Sequence, residues 1–302
     1  MAILILGDRD DEHAAAVLSR LKASDFDAEL WDSRDFPADM TISFDPLSGQ
    51  GALGLPTGRS LLFEQIQSVY WRTYDGVEVV DLPNPEQTWL AMNDSRSLFE
   101  SLFLRLPARW VNGWEAYRLH QTKPAQLAMV AEQGIRVPDT RLTNCPAEVH
   151  DFVAHHSRVI FKPVQGGAHA RRLTEEHVTD EHLRYLQLAP ITLQEEIVGT
   201  NIRAFVAGER VLACEINTNE VDFRDDEAPE LKPHVLSSAM IERCQAIART
   251  LQLLWTGIDF RRTPAGDYVF LEANPSPMFL GFEEATGLPL MDSLVEVLTE
   301  ER

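Results

Sequence analysis

The sequence has few cysteines, and their positions exclude two common ways of stabilising a small fold. Only three occur in 302 residues, at Cys145, Cys214 and Cys244. Their odd number and wide spacing exclude a disulfide framework and a metal site of the CxxC type. This composition fits a reducing compartment.

Positive charge and long apolar runs are also scarce. The 27 Lys and Arg residues are outnumbered by 47 Asp and Glu residues, and the formal charge of -20 argues against a nucleic-acid surface. The apolar run in MAILILGDRDD is short and lacks a basic flank, so it predicts a buried strand instead of a signal peptide or a membrane span. We therefore expect a soluble cytoplasmic protein with no nucleic-acid or membrane partner.

The first part of the chain predicts an open α/β layer without a dinucleotide fingerprint. Residues 2–6, 28–31 and 68–72 have the pattern of strands, and apolar residues at helical spacing follow the first of them. No GxGxxG motif follows that strand, so we expect no dinucleotide site there. Arg72, at the end of the third strand, is a candidate contact for a substrate carboxylate, with a plain surface position as the alternative.

The strongest functional pattern lies near the C-terminus, in GIDFRRTPAGDYVFLEANPSP. Two alternating runs flank the turn TPAGD, which predicts a β-hairpin. Because side chains alternate along a strand, Glu272 and Asn274 share one face, and Val269, Leu271 and Ala273 are predicted to point into the core.

If the hairpin pairing brings Asp259 beside Glu272 and Asn274, three oxygen-bearing side chains converge. Carboxylate and amide oxygens without Cys or His suit a hard ion, so this set predicts a magnesium site that holds a nucleoside triphosphate. A solvated hairpin face is the alternative. The prolines on either side of Ser276 favour the metal site, because they fix the backbone directly after Asn274. Ser276 itself is a candidate substrate contact.

Two lysines lie where an anion would be needed to neutralise them. Thr122 and Pro124 predict a helix that starts at Lys123, and a cation at that end of a helix is unfavourable unless an anion accompanies it. Lys162 lies within the apolar strand VIFKP, where an unpaired ammonium would be costly to bury. ATP phosphate is the candidate anion, and an exposed helix-start position is the alternative for Lys123.

The segments that follow Lys162 contain further candidate contacts for a nucleotide. Gln165, Gly166 and Gly167 form a flexible loop that can present backbone N–H groups to phosphate. Residues 191–197 predict a strand, and its end is a candidate for hydrogen bonds to adenine and to ribose. The residues at that end are Glu195, Glu196 and Ile197.

Arg203 lies in the next predicted strand, beyond the break at Val198-Gly199-Thr200. It is a candidate for a bidentate grip on a transferring phosphoryl group, with a cross-strand salt bridge as the alternative. Residues 217–234 are polar and acidic and predict a loop that contacts substrate, with disorder as the alternative.

Taken together, these segments resemble the ATP-grasp ligases, above all the branch that contains the ribosomal-protein glutamate ligases. The matching segments follow the family's order along the chain. They are TKPAQLAMVAEQGIRVPDT, VIFKP with its QGG loop, LQEEIVGTNIRAFVAGERVLA, GIDF and FLEANPSPMFLGFEEATG.

The resemblance implies a role for each candidate residue. The implied contacts of ATP are Lys123, Lys162, Gln165, Gly166, Gly167, Glu195, Glu196, Ile197 and Asn201, the last standing where the family usually has an Asp. Arg203 and Lys162 are the implied catalytic residues. Asp259, Glu272 and Asn274 are the implied ligands of two magnesium ions, with manganese as an alternative.

The resemblance also implies the architecture. We expect an α/β (α+β) protein with an N-terminal open α/β pre-ATP-grasp domain at 1–114. A central ATP-grasp subdomain is expected at 115–192 and a C-terminal subdomain at 193–302, with ATP enclosed between these two.

Within the superfamily, the first domain and the VDFR segment at 221–224 resemble the maturases that crosslink ribosomally made peptides of the microviridin and graspetide type. Those enzymes join side-chain carboxylates to Ser, Thr or Lys side chains. Arg224 in VDFR is therefore a candidate substrate contact. The similar enzymes often have Trp-Tyr-Arg-Arg where this chain has YWRT at 70–73.

The resemblance implies an ATP-dependent carboxylate–amine or carboxylate–hydroxyl ligase that works through an acyl phosphate. Its implied partners are ATP and a carboxylate-bearing ribosomal peptide, modified or macrocyclised through ester or amide crosslinks. Two alternatives stay open: the addition of a free amino acid such as glutamate, and a non-catalytic ATP-binding regulatory protein. The oligomeric state also stays open, with a homodimer as one alternative.

Overall fold

The computed structural model describes residues 1–165 and 168–300. The strands are β1 (Ala2–Leu6), β2 (Ala28–Trp31), β3 (Thr41–Phe44), β4 (Gly51–Gly54), β5 (Ser60–Leu62), β6 (Ile66–Trp71), β7 (Arg109–Val111), β8 (Thr140–Thr143), β9 (Val159–Pro163), β10 (Arg171–Arg172), β11 (Ile191–Glu195), β12 (Thr200–Ala207), β13 (Arg210–Asn217), β14 (Glu230–His234), β15 (Trp255–Arg262) and β16 (Tyr268–Asn274). The α-helices are α1 (Glu12–Ala23), α2 (Pro85–Arg105), α3 (Trp114–Gln121), α4 (Lys123–Ala131), α5 (Pro146–His155), α6 (Asp180–Leu183), α7 (Ser238–Thr250), α8 (Leu280–Thr286) and α9 (Leu290–Thr299).

The first sheet confirms the predicted open α/β layer. Its strand order is β2-β1-β6-β7, and all of its neighbouring strands pair in parallel. Parallel strands covered on both faces are continuous apolar runs, and every residue of β1 is buried. The carboxyl ends of these strands meet at one edge of the sheet, which is where ligands of open α/β sheets commonly bind. Arg72 follows β6 at this edge, and Asn112 follows β7.

A small antiparallel sheet, β3-β4-β5, covers part of the first domain. Its pairing depends on Gly51, because a Cβ there would lie 2.5 Å from Cβ of Phe44. An aromatic cluster lies nearby and includes Trp71 and Phe103, whose ring centroids are 4.6 Å apart. This cluster packs between the first sheet and the C-terminal half of α2.

The second sheet has the order β10-β9-β11-β8 and carries Lys162 on β9. Lys162 pairs across the ladder with Thr192 of β11. Because β11 runs from Ile191 to Glu195 in this sheet, the predicted boundary between 192 and 193 cuts through a strand. The three predicted domain bounds stay a prediction.

The third sheet has the order β14-β13-β12-β15-β16 and contains the predicted hairpin. β15 and β16 pair antiparallel, but the register shifts after Asp259 so that Asp259 pairs with Glu272 and Phe260 pairs with Phe270. Leu271 is the extra residue of this bulge. The prediction that Leu271 points into the core is therefore wrong: Phe270 is fully buried instead, and Leu271 is only half-buried.

Residues 217–234, predicted as a loop or as disorder, contain more regular structure than expected. A short 3-10 helix spans Phe223–Asp225, and β14 pairs antiparallel with β13 at the edge of the third sheet. The apolar residues of β14 are few, so its periodicity in the sequence is weak. β14 is an edge strand with a partner on one side only, and most of its side chains stay exposed, so it needs few apolar residues.

The C-terminal helix α9 returns to the first domain. Its residues Leu290, Leu294 and Leu298 are fully buried in a cluster that includes β1 and α1. The hydroxyl of Ser68 in β6 donates to the carbonyl oxygen of Leu298 at 2.7 Å. The first sheet is therefore packed against the end of the chain. In the parts of the chain that the structure describes, no helix is long and apolar enough to cross a membrane.

Candidate active site

A cleft of about 760 Å³ lies between the second and third sheets and is also lined by α1 of the first domain; most of the predicted site residues line it. The first domain contributes His13, the second sheet contributes Lys162 and Gln194, and β12 contributes Asn201 and Arg203. The predicted site residues in the lining are Lys123, Lys162, Glu195, Glu196, Ile197, Asn201, Arg203, Arg224, Asp259, Glu272, Asn274 and Ser276.

The hairpin brings its three predicted metal ligands together. Asp259 and Glu272 are directly paired across the ladder, and Nδ2 of Asn274 lies 3.4 Å from Oδ2 of Asp259 and 3.1 Å from Oε1 of Glu272. The bulge at Leu271 produces this arrangement, because the extra residue shifts the register so that Glu272 lies opposite Asp259 and on the same face of the sheet. The set has two carboxylates and one amide; among the described residues, no group of three or more His, Cys, Asp and Glu is placed to hold a metal ion.

Lys123 lies beside Glu272 at the start of α4. Its ammonium makes a salt bridge to Oε2 of Glu272, so a carboxylate is the anion that accompanies this helix-start cation. Burial alone would raise the pKa of Glu272, but Lys123, the amide of Asn274 and Lys162 together lower it to about 2. The carboxylate of Glu272 is therefore charged throughout the physiological range.

Arg203 makes the cross-strand salt bridge that the sequence left open as its alternative role. Its Nε and Nη2 atoms each donate to one oxygen of Asp259 at 2.7 Å. The guanidinium carbon lies 5.1 Å from the ring centroid of Phe223 and 5.2 Å from that of Phe282. A guanidinium has five N–H groups in a fixed plane, so the pair with Asp259 leaves the Nη1 edge for another anion.

Lys162 is the cation of the site with the weakest partner. Within the described residues its one hydrogen bond goes to the neutral Oε1 of Gln194, at 3.3 Å. Burial lowers the pKa of Lys162, and Glu272 partly offsets this effect. A half-buried ammonium whose partner is a neutral amide has spare capacity for an anion, and the predicted contact with ATP phosphate stays a prediction.

The predicted adenine segment lies at the rim of the cleft, with part of its hydrogen-bonding capacity already used. The backbone N–H groups of Glu195 and Glu196 donate to the carbonyl oxygens of Asp139 and Arg158, both at 3.0 Å. The carboxylate of Glu196 forms a fork with Arg172, at 2.7 to 3.1 Å. Ile197 is buried at the lining and supplies an apolar surface.

The predicted phosphate loop is described only in part. Gln165 donates to Oε1 of Gln121 at 3.0 Å and does not line the cleft. Gly166 and Gly167 lie outside the described residues. Ala168 and Ala170, which follow them, line the cleft.

Two of the three predicted substrate contacts lie in the lining, and the third lies behind it. Arg224 lines the cleft and holds both oxygens of Asp222, while Ser276 lines it from the loop after β16. Arg72 instead donates twice to Asp11, at 2.9 and 3.0 Å, and to the carbonyl oxygen of Ser276 at 2.8 Å. Arg72 thus ties the loop after Asn274 to the first domain, and its predicted contact with substrate stays a prediction.

Three buried residues that the sequence analysis did not single out support the site. Gln126 of α4 accepts from the N–H of Ala273 at 3.2 Å and donates to its carbonyl at 3.0 Å. Asn112 accepts from the N–H of Leu254 at 2.7 Å and donates to the carbonyl of Pro275 at 2.6 Å. Nε2 of His13 accepts from the N–H of Phe279 at 3.0 Å.

Only a weak signal in the sequence could have found these residues. Gln126 is a polar residue on the apolar face of a helix three positions after Lys123, and such a residue is normally buried only with partners. Asn112 and His13 bond to backbone groups far away in the chain, which no local pattern reveals.

Comparisons with known proteins point to one family. Residues 121–298 match a family model described as the RimK-like ATP-grasp domain. Among curated proteins, the ribosomal protein bS6–L-glutamate ligase of Escherichia coli O81 is 30% identical over 188 residues, which cover 57% of this chain and 61% of the relative. A probable alpha-L-glutamate ligase 2 of Shewanella amazonensis is 28% identical over 193 residues, with the same coverage. The chain therefore spans about 61% of the length of these curated relatives.

Solved structures match over a greater length. The ATP-grasp ligase PsnB, complexed with a minimal precursor, has a TM-score of 0.84 and 29% identity, and the match covers 98% of this chain and 97% of PsnB. The macrocyclase MdnC from Microcystis aeruginosa MRC, bound with its precursor peptide MdnA, has a TM-score of 0.85 and 21% identity over the whole of both chains. At this low identity the match shows a shared fold and no more. The ATP-grasp architecture implied by the resemblance is confirmed.

Proposed function

This chain belongs to the RimK-like ATP-grasp family, and we propose that it is an ATP-dependent ligase acting on a ribosomally made peptide. It activates a side-chain carboxylate of the peptide and joins it to an amine or hydroxyl, which gives an amide or ester crosslink. ATP is the co-substrate.

One observation carries the choice of a peptide over a free amino acid. The match with PsnB extends over 98% of this chain and therefore includes the first domain, whereas the match with the glutamate ligases covers only 57% of it. In this chain the first domain contributes His13 to the cleft and holds the loop after β16 through Arg72. A domain that shapes the open side of the cleft is well placed to select the substrate.

The residues present fit a divalent cation with nucleotide phosphates. Asp259, Glu272 and Asn274 offer hard oxygen ligands on one face of the hairpin, and both carboxylates already attract a cation of the chain itself. A PsnB structure contains Mg and ADP, and we propose magnesium for this chain because of the oxygen ligands named above. When bound, the cation would neutralise phosphate charge.

The cations of the chain suit the charge changes of the proposed reaction. A carboxylate oxygen attacks the γ-phosphorus of ATP, the bond to the β–γ bridging oxygen breaks, and ADP leaves. Lys162 and the free Nη1 edge of Arg203 lie in the same cleft, where they stabilise the charge on the transferring phosphoryl group. The amine or hydroxyl then attacks the acyl carbon and loses a proton, and phosphate leaves with its electron pair.

The product mass tests the proposal. We expect incubation with ATP, magnesium and short peptides encoded beside this protein to lower the peptide mass by one water for each crosslink. The reason is that the oxygen removed from the carboxylate leaves with phosphate. Mass spectrometry with tandem fragmentation locates the crosslink.

A matched pair of variants ties this activity to the hairpin. Glu272→Gln removes one proposed ligand, and we expect it to lower acceptor-dependent ADP release by at least about a hundredfold. Asp267→Asn makes the same carboxylate-to-amide change at an exposed position of the hairpin turn and should leave turnover unchanged. Normal turnover in Glu272→Gln would refute the role of the hairpin in catalysis.

Glutamate addition is the second candidate function, because the curated relatives at 28% and 30% identity are named glutamate ligases. It predicts a gain of one glutamate residue in mass when L-glutamate is supplied. A gain of that kind without any loss of water would favour this function over crosslinking.

A further inference from the structure

His13 is a buried histidine of the first domain that reaches the cleft. It lies in the first turn of α1 and is only 6% exposed. Its ring packs against Phe279 with the centroids 5.1 Å apart, in an edge-to-face arrangement. The same ring forms part of the cleft lining, next to the loop that follows the proposed metal ligands.

The contacts of one ring nitrogen determine where the proton lies. Nε2 faces the backbone N–H groups of Phe279 and Leu280, at 3.0 and 3.4 Å. Both of these groups are donors, so Nε2 must be an unprotonated acceptor. In a neutral imidazole the proton is then on Nδ1. Burial and the nearby guanidinium of Arg72 lower the pKa of His13, which agrees with a neutral ring.

The protonated nitrogen is left available. Among the described residues, Nδ1 has no hydrogen-bond partner, and it is not one of the polar side-chain atoms buried without a partner. Nδ1 is therefore not fully buried, and the residue that carries it lines the cleft. Capping the two backbone N–H groups requires only Nε2, so the N–H at Nδ1 is a spare donor.

We propose that His13 is a substrate-contacting residue whose Nδ1–H donates a hydrogen bond to the peptide carboxylate that is activated. This inference rests on the proposed function of the cleft. The contacted group must be an acceptor oxygen, because an ammonium or an N–H has no lone pair for this donor. A neutral donor also suits a carboxylate that is about to lose its charge in the acyl phosphate, since the hydrogen bond to its carbonyl oxygen persists.

A purely structural cap is the alternative role of His13, and two substitutions separate the roles. In His13→Gln the terminal amide takes the position of Nε2, so its oxygen still accepts from Phe279 and Leu280 while the Nδ1 donor is lost. In His13→Asn the amide takes the position of Nδ1, so a donor remains while the cap is lost. The substrate role and the cap are thus removed one at a time.

The test measures kcat/KM for crosslinking of the linear peptide substrate, the affinity for ADP with magnesium, and the thermal midpoint of both variants. We expect His13→Gln to keep the wild-type midpoint and ADP affinity and to lose about ten- to a hundredfold in kcat/KM, the effect of one hydrogen bond to a charged group. His13→Asn should unfold at a lower temperature yet keep more of kcat/KM than His13→Gln. Wild-type kcat/KM in His13→Gln, or a loss that only follows a lowered midpoint, would overturn the proposal.

A second measurement does not depend on turnover. Nitrogen-15 NMR of histidine-labelled wild-type protein should show a protonated Nδ1 and an unprotonated Nε2 at His13, and the opposite tautomer would overturn the proposal. If the wild type releases no ADP and changes no peptide, the proposed function fails. The affinity of the protein for the carboxylate-bearing peptide then still tests His13. This affinity should fall in His13→Gln, and an unchanged affinity would overturn the proposed contact.

Discussion

Gln126 completes the backbone hydrogen bonding between Glu272 and Asn274. Its side-chain amide bonds to both backbone groups of Ala273, as a neighbouring strand would, and it is 2% exposed. The edge of β16 is fixed at this point, so both flanking side chains face the cleft. The same helix carries Lys123, which pairs with Glu272. Gln126 is therefore a positioning residue for the hairpin ligands.

Replacing Gln126 by Glu tests this role. The new carboxylate can accept from the N–H of Ala273 but not donate to its carbonyl, so we expect a loss of about 1–3 kcal/mol in the free energy of unfolding. The magnesium concentration for half-maximal ADP release should rise, because Glu272 and Asn274 are held less well. Gln133→Glu, at an exposed position just after the same helix, is the control. An unchanged magnesium requirement would contradict the positioning role.

Lys162, unlike Gln126, is expected to lower the stability of the unliganded protein while it serves nucleotide binding. Its side chain is half-buried, its ammonium donates to a neutral amide, and desolvation lowers its pKa. Such a charge costs free energy in the unliganded protein unless an anion joins it. The cost is offset if the site binds phosphate.

Lys162→Met should therefore keep or raise the stability of the unliganded protein, by up to about 1 kcal/mol. It should abolish most of the rise in thermal midpoint that ADP with magnesium gives the wild type, where nucleotide at about a hundred times its Kd adds about 2.7 kcal/mol. Differential scanning fluorimetry measures both effects. A variant that loses stability but keeps the nucleotide effect would show that Lys162 is structural.

At the scale of elements, Asn112 connects three segments. It follows β7 in the first sheet, and its amide bonds to Leu254 and Trp255 at the start of β15 and to Pro275 after β16. The start of β15 and the segment after β16 are thus attached to one side chain of the first domain. Arg72 makes a second attachment to Ser276.

Asn112→Asp should loosen this connection. The carboxylate can accept the two N–H groups but repels the carbonyl oxygens of Trp255 and Pro275, so we expect a loss of about 2–4 kcal/mol in the free energy of unfolding. Turnover at a temperature where the variant is folded should also fall. Asn144→Asp, at an exposed loop position, makes the same change outside the contact and should be neutral. Urea unfolding of both variants decides the point; equal stability would show that the connection carries little energy.

The elements themselves were largely predictable from the sequence, and their exceptions have local causes. The hairpin was expected because alternating runs flank a turn with Gly266, whose φ of 93° suits glycine. Leu271 was placed on the wrong face because a bulge leaves no mark in the apolar pattern. β14 was missed because its one-sided pairing needs few apolar residues. In both cases the structure depends on pairing with another strand, and the residues of the segment itself do not reveal that pairing.

In the site, too, local patterns were predictable and contacts with distant residues were not. The cations and carboxylates of the cleft could be named because buried charge within apolar runs is unusual, as at Lys162. What could not be named was which groups already pair with each other: Arg203 with Asp259, and Arg72 with Asp11. These pairs depend on strand register and on the approach of the first sheet, which are properties of the whole chain. Gln126, Asn112 and His13 were missed for the same reason.

At the scale of the whole molecule, the chain closes on itself around the cleft. The first sheet packs against the C-terminal helix α9, and its carboxyl edge contacts the loop after β16 through Arg72 and Asn112. Charges of the second sheet and of the hairpin meet in the same cleft. The fold thus brings the side chains proposed to bind phosphate and those proposed to contact substrate into one cleft, an arrangement that suits carboxylate activation by ATP.

The most direct test of this account follows oxygen from the peptide to phosphate. The peptide substrate is prepared in its linear form, before crosslinking, with oxygen-18 in its side-chain carboxylates, and is incubated with the protein, ATP and magnesium. We expect one oxygen-18 atom in the phosphate released for each crosslink, because the acyl phosphate loses an original carboxylate oxygen. Crosslinking with phosphate that contains no oxygen-18 would contradict carboxylate activation by phosphoryl transfer, and with it the central claim.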